Sequence, residues 1–160
     1  MWFLWLVLII ICIMIALTIY RRYGRRLTER QIITSQQVVN HALTYALKDL
    51  NDALYLVPDK QISSTLVANI WGHEVMAFEF VLPVSDLQEV IVVRQAVNNA
   101  LREYAEKNNL KSAATDEMAL LVTDVWYDAR VPELHIDIAH ITNQETAAYI
   151  RDLRKLNQPV

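Results

Sequence analysis

The residues of this 160-residue chain best suited to chemistry are Glu133, His135 and Asp137. Successive side chains of a β-strand point to opposite faces, so this spacing puts all three on one face. Carboxylate, imidazole and carboxylate make a hard, oxygen-rich set of the kind that holds Mn, Fe or Zn. His140 falls on the other face by parity. A plainer reading competes. Leu134, Ile136 and Ile138 are the natural inward face, which leaves the odd-numbered residues as the solvated side of an antiparallel strand. Charge on that side also deters pairing at a sheet edge. This plainer reading is the expectation, with no metal and no other cofactor.

Other constellations are weaker. Asp124 and Asp128 flank Trp126 and Tyr127, and paired carboxylates serve acid–base work only when their environments separate their pKa values. Asp128 opens a turn, where aspartate makes local hydrogen bonds. Ser63, Ser64 and Thr65 with His73 offer a hydroxyl and a base, but no GxSxG elbow accompanies them. The chain has two glycines, Gly24 and Gly72, so neither GxGxxG nor GxxxxGK[ST] can be written and nucleotide binding of those kinds is excluded. The single cysteine, Cys12, offers the rest of the chain no disulfide framework and no thiolate metal site. Trp71 and Trp126 stand near strand ends. With Tyr127 they are candidates for protein contact, since aromatics dominate interface hot spots; the alternative is that they plug the core.

The clearest pattern lies elsewhere. Residues 2–20 are nineteen in succession without a charge, about 28 Å of helix against a hydrocarbon core of about 30 Å. Trp2 and Trp5 at one end, and Tyr20 and Tyr23 at the other, match interfacial aromatic belts. The next ten residues hold Arg21, Arg22, Arg25, Arg26 and Arg30. No basic residue precedes the run and no small-residue cleavage site comes after it, so a signal peptide is disfavoured. The expectation is one transmembrane helix contacting lipid through 2–20 and a basic juxtamembrane segment at 21–30. By the positive-inside rule the N-terminus lies outside and the C-terminal domain is cytoplasmic. Residues 31–160 retain ten basic and seventeen acidic side chains, net −7. A nucleic-acid binder shows the opposite balance, so nucleic acid is excluded as a partner.

The elements that would position the candidates are set by periodicity. A long amphipathic helix is expected over 31–57, with Val39, Leu43, Ala46, Leu50 and Ala53 at heptad spacing and Pro58 as its stop. Its apolar face either docks on the domain's own sheet or pairs with another molecule. Residues 64–82 read as a hairpin, with Met76, Phe78, Phe80 and Leu82 on one face and Ala77, Glu79 and Val81 on the other. Ser85, with Gln88, would cap a helix whose stripe is Leu87, Ile91, Val97, Leu101 and Tyr104. The β-branched run 90–93 argues against helix there. A second hairpin is expected at 119–127 and 133–141. A last helix capped by Thr142 would carry Ala147, Ile150, Leu153 and Leu156 inward. Residues 66–71 and 121–126 align, hinting at a duplicated ββα unit over 64–107 and 119–157.

The expected fold is therefore α+β: a single N-terminal transmembrane helix, then an α-ββα-ββα domain at 58–160 and its leading helix, an antiparallel sheet with helices mainly on one face. No catalytic set outweighs its plainer reading. The expected function is a single-pass membrane-anchored, bacterial interaction or scaffolding module whose partner is another protein or a second copy of itself. The alternatives are a small metal-dependent enzyme using Glu133, His135 and Asp137, and a pilin-like assembly subunit. Pilins also run an apolar helix into an α+β head, but carry a leader and an early glutamate that this chain lacks.

Overall fold

The computed structural model describes residues 2–56, 62–67, 74–115, 118–128 and 130–156, with side chains at 11–15 and from Glu29 onward. The order is α1 (Trp2–Leu50), β1 (Ser64–Leu66), β2 (Ala77–Pro83), α2 (Val90–Lys107), β3 (Leu120–Tyr127), β4 (Glu133–His140) and α3 (Gln144–Leu156). The protein is α+β, with a four-stranded antiparallel sheet ordered β1-β2-β4-β3. It divides into two compact units, Met1–Ile33 and Thr34–Val160.

Of the first unit, the described side chains Ile11, Ile13, Met14 and Ile15 are 51–64% exposed. Among the described residues no helix is long and apolar enough to cross a membrane. Most side chains of the 2–20 run, and those of Arg21, Arg22, Arg25 and Arg26, lie outside the described set, while Arg30 is exposed.

The second unit is built on strand alternation. Phe78, Phe80 and Leu82 register with Ile138, Ile136 and Leu134, and all six are buried. The C-terminal part of α1 lies on this Phe78 face. Its Val39, Ala42, Leu43, Ala46 and Leu47 are at most 3% exposed. Its polar residues seize β1: Gln36 Nε2 donates to the Ser64 carbonyl at 2.7 Å, and the Ser64 hydroxyl donates to Asn40 Oδ1 at 2.6 Å. The apolar face of α1 from Val39 to Leu47 is thus buried within the second unit. The helix also ends at Leu50, short of 57. Leu56 N bonds back five residues to Asn51 O, Tyr55 takes φ 50°, and Leu56 bridges to Val84, so pairing with the sheet ends the helix before Pro58.

Helix α2 begins at Val90, not near Ser85. The Ser85 hydroxyl donates to Tyr55 O at 3.1 Å instead of capping, and the amide of Gln88 donates to the Tyr127 hydroxyl at 3.1 Å. The amides that a first turn at 85–88 would use are spoken for. The buried stripe becomes Val93, Val97, Leu101 and Ala105, and Leu87 and Ile91 are 63% and 55% exposed rather than core. α2 runs beside the edge strand β3. Asn98 Oδ1 accepts from Val122 N at 2.9 Å, while Arg94 Nη1 donates to the carbonyls of Val122 and Thr123 at 3.3 and 3.0 Å. These side chains occupy backbone groups that would otherwise recruit another strand.

Helix α3 lies on the opposite face. Its Ala147 and Ile150 pack with Val75, Ala77, Ala139 and Ile141, and Ala77 has the opposite parity to Phe78. While α2 meets α1 through Tyr45, whose hydroxyl donates to Glu103 Oε1 at 2.7 Å, α3 therefore covers the face opposite to α1. The reason is the small-residue floor: Ala77 pairs with Ala139, which leaves room for a helix backbone to approach.

Candidate functional site

The rest of the Glu79 face, beyond α3's footprint, carries the residues suited to chemistry. A β-bulge between Val122 and Asp124 resets β3, so that Asp124 registers with Asp137 and Trp126 with His135. On the other side of β4, Glu79 registers with Asp137 and Val81 with His135. Three carboxylates, Glu79, Asp137 and Asp124, thus stand abreast across β2, β4 and β3. Neighbouring strands are about 4.8 Å apart, a spacing at which like charges directly opposite are destabilising.

Each outer carboxylate has a partner. Glu79 Oε1 lies 2.9 Å from His135 Nδ1. Asp124 Oδ1 meets Arg94 Nη2 at 3.3 Å and accepts the Val125 amide at 2.8 Å. The middle one leaves an oxygen unpaired. Asp137 is 8% exposed, and its Oδ1 is buried without a hydrogen-bond partner. Burial first, then the charges of Glu79 and Asp124, push its carboxyl up to about 6, against a lowering by His135. Tyr149 reaches in from α3. Its hydroxyl is raised from its ordinary value by burial and by Asp137, while a hydrogen bond with Thr123 lowers it.

His135 is held as strictly. Its ring stacks on Trp126 with centroids 4.7 Å apart and planes 18° from parallel. With Glu79 on Nδ1, its Nε2 is buried and unpartnered. A carboxylate that fixes one ring nitrogen leaves the other as an acceptor. The arrangement leaves two buried polar atoms, Asp137 Oδ1 and His135 Nε2, without a hydrogen-bond partner.

The candidates named from sequence separate here. Glu133, His135 and Asp137 do share a face, but it is a covered face, since Asp137 is buried and the His135 side chain is 16% exposed. Among the described residues no three His, Cys, Asp or Glu are grouped to hold a metal. Glu79, which joins the cluster, was legible only as one charge in β2; its partnership depends on β2 pairing with the distant β4. Asp128 makes a local turn, its Oδ1 accepting Arg130 N at 2.7 Å. Tyr127 binds Gln88, and Trp126 is committed to His135. Trp71 and His73 lie outside the described residues, so the Ser63–Thr65 hydroxyls have no described base. His140 sits on the Phe78 face, where burial lowers its pKa and Nδ1 lies 3.1 Å from the Ser35 hydroxyl.

Compared with known proteins, the chain matches no family model, no curated protein and no solved structure.

Proposed function

We propose that the chain is a membrane-tethered protein-interaction module. Residues 2–20 cross the bilayer once, the arginines of 21–30 keep the C-terminal domain in the cytoplasm, and that acidic α+β domain engages a partner protein at the membrane surface. The observation that carries this reading is the nineteen-residue uncharged run bounded by five arginines. Support comes from Ile11, Ile13, Met14 and Ile15, which turn more than half of their surface outward, as a lipid-facing helix requires and a watery one disfavours. The tether makes later encounters local, so a weak contact suffices. The acidic domain is repelled by anionic headgroups and so stays available to protein.

The metal-dependent reading has no support from the Glu79 face, whose acceptors are spread along and across strands. Extraction and labelling test the tether. The full chain should resist alkaline carbonate, and a C-terminal cysteine tag should react with an impermeant maleimide only after permeabilisation. Recovery in the aqueous fraction, or labelling from outside, would overturn this function.

A further inference from the structure

Among the described residues, an apolar surface that the fold does not use lies at the start of α2. Leu87, Val90, Ile91 and Val92 are 63%, 37%, 55% and 47% exposed. The neighbouring turns add Tyr55, whose carbonyl accepts from Ser85 N at 2.8 Å, and Val131, next to the Pro132 carbonyl that accepts from Val84 N at 2.9 Å. Both are also large and exposed, at 41% and 45%. Large apolar side chains left exposed on neighbouring segments mark an interaction site.

Charge decides what covers it. Asp86 and Glu89 are exposed between the apolar residues, Asp52 and Asp128 are exposed in the adjoining turns, and Arg130 is the one base in those segments. No lysine or arginine occurs anywhere in 61–93. A second copy docking by a two-fold would set Asp86 and Glu89 against themselves. An anionic bilayer would meet the same repulsion. A protein segment carrying an apolar helical face flanked by lysine or arginine meets neither.

We infer that the start of α2 is the docking surface for such a basic, amphipathic protein segment. Leu87 and Ile91 supply the apolar contact, and Asp86 and Glu89 supply the orientation. This rests on the interaction-module reading and names the surface and the partner chemistry.

The test uses the full chain in phosphatidylcholine nanodiscs, with empty discs as baseline. The probes are two fluorescent fifteen-residue amphipathic helices of one pattern, one of leucine and lysine, the other of leucine and glutamate. The leucine–lysine probe should bind, the leucine–glutamate probe should not, and added salt should weaken binding. Leu87→Ser with Ile91→Ser, and separately Asp86→Lys with Glu89→Lys, should each cost about tenfold or more in affinity. All four positions are exposed, so circular dichroism should be unchanged; Glu89→Lys alone serves if either pair disturbs the fold.

Equal binding of both probes, or unchanged affinity in either double variant, would overturn the inference. So would a dimer that Ile91→Ser dissolves, which assigns the surface to a second copy, or tighter association with phosphatidylserine vesicles that the same variant abolishes, which assigns it to lipid. Carbonate extraction is indifferent to these substitutions, so loss of the tether and loss of the docking surface give different results.

Discussion

The first turn of α3 is capped by a side chain and buried at both Thr146 and Ala147, whereas the first turn of α2 has no side-chain cap and buries only Val93. Asn143 Oδ1 accepts the Thr146 amide at 2.8 Å, the Thr146 hydroxyl accepts Met76 N at 2.9 Å, and Ala147 is 1% exposed. At the matching place after the other hairpin, Glu89 makes no side-chain cap and Val90, Ile91 and Val92 face outward. Both helices close a hairpin of the same sheet, and the hairpins are arranged β1-β2-β4-β3 as a two-fold would arrange them. α3 commits more of its first turn to the fold: Thr146 and Ala147 are both buried, against Val93 alone in α2. Four β-branched residues in a row, Val90 to Val93, also weaken a helix start. The start of α2 therefore leaves three apolar side chains unused by the fold, and these lie in the surface the proposed contact would employ.

The sharpest break of this comparison is a pair of truncations. Ile150 of α3 is 1% exposed in the Ala77–Ala139 cluster, so Ile150→Ala should cost about 2–4 kcal/mol. Ile91→Ala, the same deletion on α2, should stay within about 0.5 kcal/mol. Native-state hydrogen exchange of β2 and β4 amides in the full chain reads both. A comparable loss at Ile91 would mean that α2's first turn is packed after all.

The next effect comes from what α3 covers. It helps bury Asp137, whose carboxyl is raised from 3.8 to about 6. The folded state therefore takes up a proton at a pH where the unfolded chain is still ionised. Stability should rise as pH falls through about 6, with the gain complete below about 4. The full shift corresponds to about 3 kcal/mol at most. Asp137→Asn should stabilise the domain at pH 7 and flatten its pH dependence between about 4 and 6. His140 works the other way, because burial lowers its pKa below 6.5: its contribution is present above that value and is lost on acidification. The difference between wild type and Asp137→Asn isolates the carboxyl. Parallel pH curves for the two would show that α3 leaves Asp137 solvated.

Local signals and long-range ones were unequally legible. Alternation placed Phe78, Phe80, Leu82, Leu134, Ile136 and Ile138 on one face, and the structure buries them all. The second hairpin, read as 119–127 and 133–141, occurs at Leu120–Tyr127 and Glu133–His140. Three things failed where distant partners intervene. Ser85 looked like a cap, but its hydroxyl is taken by Tyr55. Strict alternation would put Thr123, not Asp124, beside Asp137; the bulge reverses this and so creates both the carboxylate row and the stack of Trp126 on His135. A bulge is one extra residue on one strand, and strand residues alone do not announce it. Glu79 joined the site only because β2 pairs with β4 across about fifty residues of chain, a choice of topology that no local window contains.

The finest test exchanges the two first turns' capping chemistry. Asn143→Ala removes an acceptor from the Thr146 amide and a donor, Nδ2, that reaches Glu74 O at 2.6 Å. The expected cost is about 1 kcal/mol. At the corresponding place before α2, Glu89→Ser adds a short hydroxyl where the glutamate makes no cap bond. Glu89 already holds extended backbone angles, φ −61° and ψ 127°, which is the conformation a capping serine needs. The gain should be about 0.5–1 kcal/mol, read as slower amide exchange in the first turn of α2. If neither change moved its own helix, capping would not be what separates the two turns, and the contrast would rest on burial alone. If Glu89→Ser stabilised α2, the native glutamate would be a residue kept at a cost to its helix, as a charge placed for a basic partner would be.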